Sequence, residues 1–258
     1  MSQLQGAGPL LCDLDGVVWL AESPIPGSVE ALGRLSQADV PVLFITNSSF
    51  STTGELENVL ERLGIAARGR VLTSARAAAL LVEPDENVFV IGGGGLVEDI
   101  TARGARVLPA HIDPDGPVDT VMVGLHRGFD YAMLSRASTA VRRGARLIGA
   151  NSDATYPTPL GEVPGGGAIL AAVERASGVT GLVAGKPHSP MASLVKEMLP
   201  GVDLTRAVMV GDRADTDGAF ADRLGCRFAH VRTGVIPATD GAPGTHADLA
   251  AVVDALLG

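Results

Sequence analysis

The chain has 258 residues, 46% of them hydrophobic and 19% charged, a globular composition long enough for one large α/β domain or two smaller ones. A formal net charge of −9, with no basic run longer than Arg142-Arg143, excludes nucleic acid and anionic membrane as partners, because both are bound through clustered Lys and Arg. Cys12 and Cys226 are too few for a disulfide framework and show no metal-binding spacing, so both read as buried free thiols. Aromatics make up only 3%, so the core must be built from Val, Leu, Ile and Ala, the material of a parallel sheet packed on helices. The Met1–Gly6 start lacks a charged segment leading into an apolar one, and no apolar run approaches about 18 residues. A cytoplasmic protein is expected.

Short apolar runs alternate with helical patterns from the start, the signature of βα units. Pro9 to Cys12 reads as a strand running into Asp13. Val29 to Leu35 follows as a helix, and Pro41 to Ile45 as a strand ending at Thr46. Ser51 to Leu63 reads as a second helix, with Ser51 or Thr52 as N-cap, Glu55 as the capping-box acid and Gly64 as C-cap. Further strands are expected at Asn87–Ile91, Thr120–Val123 and Arg146–Gly149. The last set comprises Leu182–Ala184, Ala207–Val210 and Phe228–Val231. The polar motifs lie before about residue 50 or after about residue 185, so 1–73 and 184–258 are expected to form one unit, with 74–183 inserted as a second α/β domain.

Four polar segments end predicted strands: Asp13-Leu14-Asp15-Gly16, Thr46-Asn47-Ser48, Gly185-Lys186-Pro187 and Gly211 to Asp217. In open parallel sheets that edge binds ligands. Clustered carboxylates repel one another unless a cation lies between them, and oxygen-only ligation points to Mg²⁺. Asp13 can attack phosphorus as a carboxylate nucleophile, with Asp15 as general acid and then base. Thr46 and Lys186 can bind phosphoryl oxygens and balance their charge.

DxDGxxW at Asp13–Trp19, TNSS at Thr46, GKP at Lys186 and GDRxDTD at Asp212 resemble the haloacid dehalogenase superfamily, in particular its subfamily IIA of phosphoglycolate and 4-nitrophenyl phosphatases. The resemblance spans essentially the whole chain. It implies a Rossmann-like, doubly wound core with an α/β cap inserted between the Thr and Lys motifs. It also implies a Mg²⁺-dependent phosphatase of small phosphorylated metabolites, with phosphoglycolate, glycerol phosphate, sugar phosphates and 4-nitrophenyl phosphate as candidate esters. The implied metal ligands are Asp13, Asp212 and the backbone carbonyl of Asp15, with Asp217 holding a metal-bound water or orienting the site. Asn47 and Ser48 support the phosphate site, Ser48 departing from the usual second Asn. Gly16 joins Asn151, Asp153 and Tyr156 of the 151–167 segment as candidate substrate-binding residues. Dimers formed through the cap are implied as well.

Competing readings are weaker. A receiver domain would be about half this length. Gly92 to Gly95 lacks the third glycine of a dinucleotide loop and reads as a tight turn within the cap. Asp215 reads as a supporting residue, His188 as a surface histidine, and Trp19 as core packing beside the nucleophile loop. A catalytically idle phosphometabolite-binding relative and a phosphotransferase both remain compatible with the residues. If cap closure excludes water, substitutions at the junctions near Ser74 and Val183 will change kcat; steady-state rates that stay level in such variants would count against a moving cap.

Overall fold

The computed structural model describes residue 6 and residues 8–158, 161–234 and 244–258. The expected features at Met1–Gln5, and Pro159 and Leu160 of the 151–167 segment, lie outside these described residues.

Two parallel sheets organise the chain. The larger has six strands in the order Thr245–His246, Arg227–Val231, Val208–Gly211, Leu10–Cys12, Val42–Thr46 and Val71–Thr73. Leu10–Cys12 pairs with Val42–Thr46 on one side and with Val208–Gly211 on the other. The strand order therefore reverses beside the first strand, and a crevice opens at that switch point, outside the carboxyl ends of the strands. The second sheet runs Leu182–Val183, Arg146–Gly149, Thr120–Val123, Asn87–Ile91 and Arg106–Pro109.

Period-two alternation in the strands explains how both faces of the larger sheet are buried. Leu10 and Cys12 join a cluster with Leu35, Leu60 and Val253 on one face. Leu11 points the other way, to Ala78, Leu194 and Phe220. The second sheet alternates likewise: Phe89, Ile91 and Val123 pack under the helices Tyr131–Arg142 and Gly166–Ser177. Its opposite face, Val88, Val90, Met122 and Ile148, belongs to the same continuous cluster as Leu11 of the larger sheet. The helices Ser74–Ala79 and Gly94–Ala102 contribute Ala75, Ala78, Leu96 and Ile100 to that shared cluster.

Local chemistry sets several boundaries. The helix Thr53–Arg62 starts on a capping box, in which the Glu55 N–H donates to Thr52 Oγ1 at 3.1 Å and the Thr52 N–H to Glu55 Oε2 at 2.8 Å. Leu63 is the C-cap rather than Gly64, which stands one residue beyond it at φ 83°. The glycine run at Gly92–Gly95 is no turn: it carries the chain from a strand into the helix Gly94–Ala102. Its composition answers to a neighbour, because the Gly95 N–H donates to Phe50 O at 2.9 Å and a Cβ at Gly95 would lie 2.3 Å from Ser51 O.

Asp99 sits on that helix, with buried Oδ2 reached by no hydrogen bond among the described residues. Burial, reinforced by Glu98 and opposed by Arg76, pushes its carboxyl up to about 6. The native state therefore holds the Asp99 proton more tightly than the unfolded chain, and its contribution to stability is lost as pH rises from about 4 to about 6. Water still reaches the group, so the effect is on the order of 1 kcal/mol. Asp99→Asn is expected to raise the Tm at neutral pH by about 2–4 °C and to have no benefit below about pH 4, as thermal melts across pH will show.

Candidate active site

Four strand ends deliver the polar groups. Asp13 follows Leu10–Cys12, Thr46 ends Val42–Thr46, Lys186 follows Leu182–Val183 by three residues, and Asp212 follows Val208–Gly211. They converge on a pocket of about 400 Å³ at the switch point, lined by Asp13, Asp15, Thr46, Lys186 and Asp212. Asn47, Ser48, Asn151, Asp153 and Tyr156 form further parts of its wall.

Lys186 is 1% exposed, and its ammonium lies 2.9 Å from Asp13 Oδ1 and 2.6 Å from Asp217 Oδ1. Burial disfavours the ammonium, but the carboxylates of Asp13 and Asp217 outweigh it and hold the Lys186 pKa above its ordinary value. The Leu14 N–H also donates to Asp13 Oδ1 at 2.8 Å. These contacts fix Asp13 through one carboxylate oxygen. Burial and the carboxylates of Asp217 and Asp212 drive the Asp13 pKa up against the opposing pull of Lys186.

Asp217 lies beneath the pocket and is fully buried. The single π-helical turn Ala214–Gly218 turns it inward, and its Oδ2 accepts the Arg213 N–H at 3.2 Å. Gly211 permits this approach, since a Cβ there would meet the Asp217 carboxyl carbon at 2.2 Å. Asp215 turns outward instead and pairs with Arg213 at 3.1 Å.

Asp15 is held by Trp19, whose Nε1–H donates to Asp15 Oδ1 at 3.0 Å. Burial raises the Asp15 pKa, with Glu22 and Asp153 adding to the shift and Trp19 opposing it. Trp19 thus has a polar duty beyond the expected packing, although at 2% exposure it is core as well. Gly16, expected among the substrate-binding residues, does not line this pocket. It is buried behind Asp15, against the Asp212 carboxyl, and its carbonyl accepts Thr233 Oγ1–H at 2.6 Å. His188 is half-buried, with its pKa lowered by burial and by Arg223, and it does not line the pocket.

Three lining groups carry no signal that sequence spacing could reveal. Glu22 stands in the turn of a small hairpin, Trp19–Leu20 with Ser23–Pro24. Phe50 follows the Thr46 motif, and the Arg127 guanidinium, from the turn after the strand Thr120–Val123, lies 4.5 Å above its ring.

The residues fit a hard divalent cation. One oxygen each from Asp13, Asp212 and Asp217 lie within 4.8 Å of one another, all buried. Three carboxylates against one ammonium leave about two negative charges in a dry site, which one Mg²⁺ balances with oxygen donors of the kind it prefers. Both oxygens of Asp217 already accept hydrogen bonds, from Lys186 and Arg213, which hold its carboxylate in place beside Asp13 and Asp212.

Comparison with known proteins gives a consistent result. A family model described as haloacid dehalogenase-like hydrolase matches residues 10–106, and a second, HAD-hydrolase-like, matches 183–257. The chain is 34% identical over 229 residues to an acid sugar phosphatase of Staphylococcus saprophyticus, covering 87% of this chain and 86% of that one. It superposes on a p-nitrophenyl phosphatase from Archaeoglobus fulgidus with a TM-score of 0.87 at 26% identity, covering 97% and 99% of the two chains. It also superposes on a glycerol phosphate phosphatase from Mycobacterium tuberculosis in complex with magnesium, with a TM-score of 0.84 at 32% identity, covering 98% of this chain and 78% of the other.

If the acidic cluster holds Mg²⁺, millimolar Mg²⁺ will raise the Tm by binding only the folded chain, and Asp212→Asn will abolish the shift. Calorimetry reads this without any turnover; an equal shift in that variant would place the cation elsewhere.

Proposed function

The chain belongs to the haloacid dehalogenase-like hydrolases, in the branch of 4-nitrophenyl and glycerol phosphate phosphatases, and from that premise we propose a phosphatase of small phosphate monoesters that works through an aspartyl-phosphate on Asp13. The observation that carries this reading is the convergence of Asp13, Asp15, Thr46 and Lys186 on one pocket at the sheet's switch point.

Asp13 and Asp212 would hold the Mg²⁺ cofactor, which would supply positive charge beside the phosphoryl group. The chain's own groups divide the remaining work. Asp13 Oδ1 is engaged by Leu14 and Lys186, which leaves Oδ2 to attack phosphorus. As the bond from phosphorus to the ester oxygen breaks, Asp15 gives that oxygen its proton. Its buried position and raised pKa favour the protonated form this step needs. Asp15 then takes a proton from water as the water oxygen attacks the phosphorus of the aspartyl-phosphate, which frees Asp13 and inorganic phosphate. Two of the three Lys186 N–H groups point at Asp13 and Asp217, so the third is available to a phosphoryl oxygen, with Thr46 as the second donor.

The pocket wall offers partners for hydroxyl groups: Glu22, Asp153 and Thr155 present acceptors suited to polyols and sugars, with the guanidinium groups of Arg127 and Arg213 on the same wall. Glycerol phosphate and sugar phosphates are the proposed substrates.

Phosphate release with and without Mg²⁺ tests the reading. Asp13→Asn is expected to abolish turnover. Asp15→Asn will lower kcat/KM, which reports only phosphoryl transfer to Asp13, about 10²–10⁴-fold on glycerol phosphate yet spare 4-nitrophenyl phosphate far more, because 4-nitrophenolate leaves without a proton. Equal losses on both esters would remove Asp15 from the acid role.

A further inference from the structure

Asn47 touches more of the site than any neighbour in its motif. Its Oδ1 accepts the Lys186 N–H at 2.8 Å, and its Nδ2 donates to the Lys186 carbonyl and to Asp153 Oδ1, both at 3.2 Å. Its own carbonyl accepts Asn151 Nδ2–H and Ser74 Oγ–H, both at 2.7 Å. One side chain therefore grips the backbone of the phosphate-binding lysine on one flank and a carboxylate from the 151–167 segment on the other.

The fit is close. A Cβ at Gly185 would lie 2.5 Å from Asn47 Oδ1, so the carboxamide is seated directly against the turn that aims Lys186. Only an amide satisfies the contacts, which require one acceptor facing an N–H and donors facing two oxygens. The same segment grips the second sheet again a few residues on, where Ser49 Oγ accepts the Leu125 N–H at 3.1 Å and the Phe50 carbonyl accepts the Gly95 N–H.

We propose that Asn47 is a positioning residue that couples the seating of Asp153 against the substrate to the alignment of Lys186 on the phosphoryl group. Asp153 then has two effects: it contacts the leaving group directly, and it steadies Lys186 through Asn47. A leaving group that draws Asp153 into place also sharpens the lysine, whereas one that displaces it loosens the phosphate site. The inference rests on the phosphatase reading above.

Kinetics of Asp153→Ala, Asn47→Ala and the double variant, on glycerol phosphate and on 4-nitrophenyl phosphate with Mg²⁺, test it. Asp153→Ala is expected to lower kcat about tenfold even on 4-nitrophenyl phosphate, which offers Asp153 no hydroxyl, and the double variant will be no slower than the slower single one. Should Asn47→Ala fail to fold, Asn47→Asp replaces it: the carboxylate keeps the acceptor facing the Lys186 N–H and removes the donor shared by Asp153 and the Lys186 carbonyl. Losses that multiply in the double variant, or an unchanged kcat for Asp153→Ala on 4-nitrophenyl phosphate, overturn the coupling. A wild-type protein that releases phosphate from either ester keeps the phosphatase reading standing when the coupling fails; a silent wild type overturns both.

Discussion

The ammonium of Lys186 between Asp13 and Asp217 is the interaction on which the rest of the site depends. Three charges are held within hydrogen-bonding distance in a place that water barely reaches, where an unpaired charge would cost several kcal/mol. The chain tolerates them because each is satisfied from a different direction. Leu14 supplies a backbone donor to Asp13, and Arg213 supplies one to Asp217. The lysine is held at its own backbone by Asn47. The same arrangement leaves an excess of negative charge, of the kind a divalent cation with oxygen donors balances.

Around that pair the architecture is one of convergence. Residues far apart in sequence meet because parallel strands place all their carboxyl ends on one edge, and because the strand order reverses beside Leu10–Cys12. The second sheet contributes the polar wall of the pocket. It is also joined to the first through a shared apolar layer that includes Leu11, Ala78, Leu96 and Met122. The two sheets are thus built on a continuous core.

Much of this was legible in the sequence because it is local. A strand that ends in Asp13-Leu14-Asp15, or Thr52 followed three residues later by Glu55, carries its signal within a few positions, and the structure has those strands and that capping box. What sequence could not reveal depends on contacts between distant segments. The glycine run at 92–95 resembles a turn until Phe50 and Ser51 are seen pressed against it. Trp19 reads as packing because nothing in its spacing says that its indole N–H will meet Asp15. Gly16 follows Asp13-Leu14-Asp15 yet packs against the Asp212 carboxyl. Arg127 and Phe50 become partners only when the two sheets dock.

The pairing of Leu10–Cys12 with Val208–Gly211 also bears on how the protein is made. Leu10–Cys12 is fully apolar, and the edge that faces Val208–Gly211 must wait for almost 200 further residues to be synthesised. Pairing at such long range is slow, and an unpaired apolar edge is a template for aggregation in the interval. Asp13 and Thr46 are among the earliest site residues translated, whereas Lys186 and Asp212 arrive in the last third of the chain. No nascent fragment short of that point can assemble the charge cluster, so the site comes into being only when the first strand acquires its second neighbour.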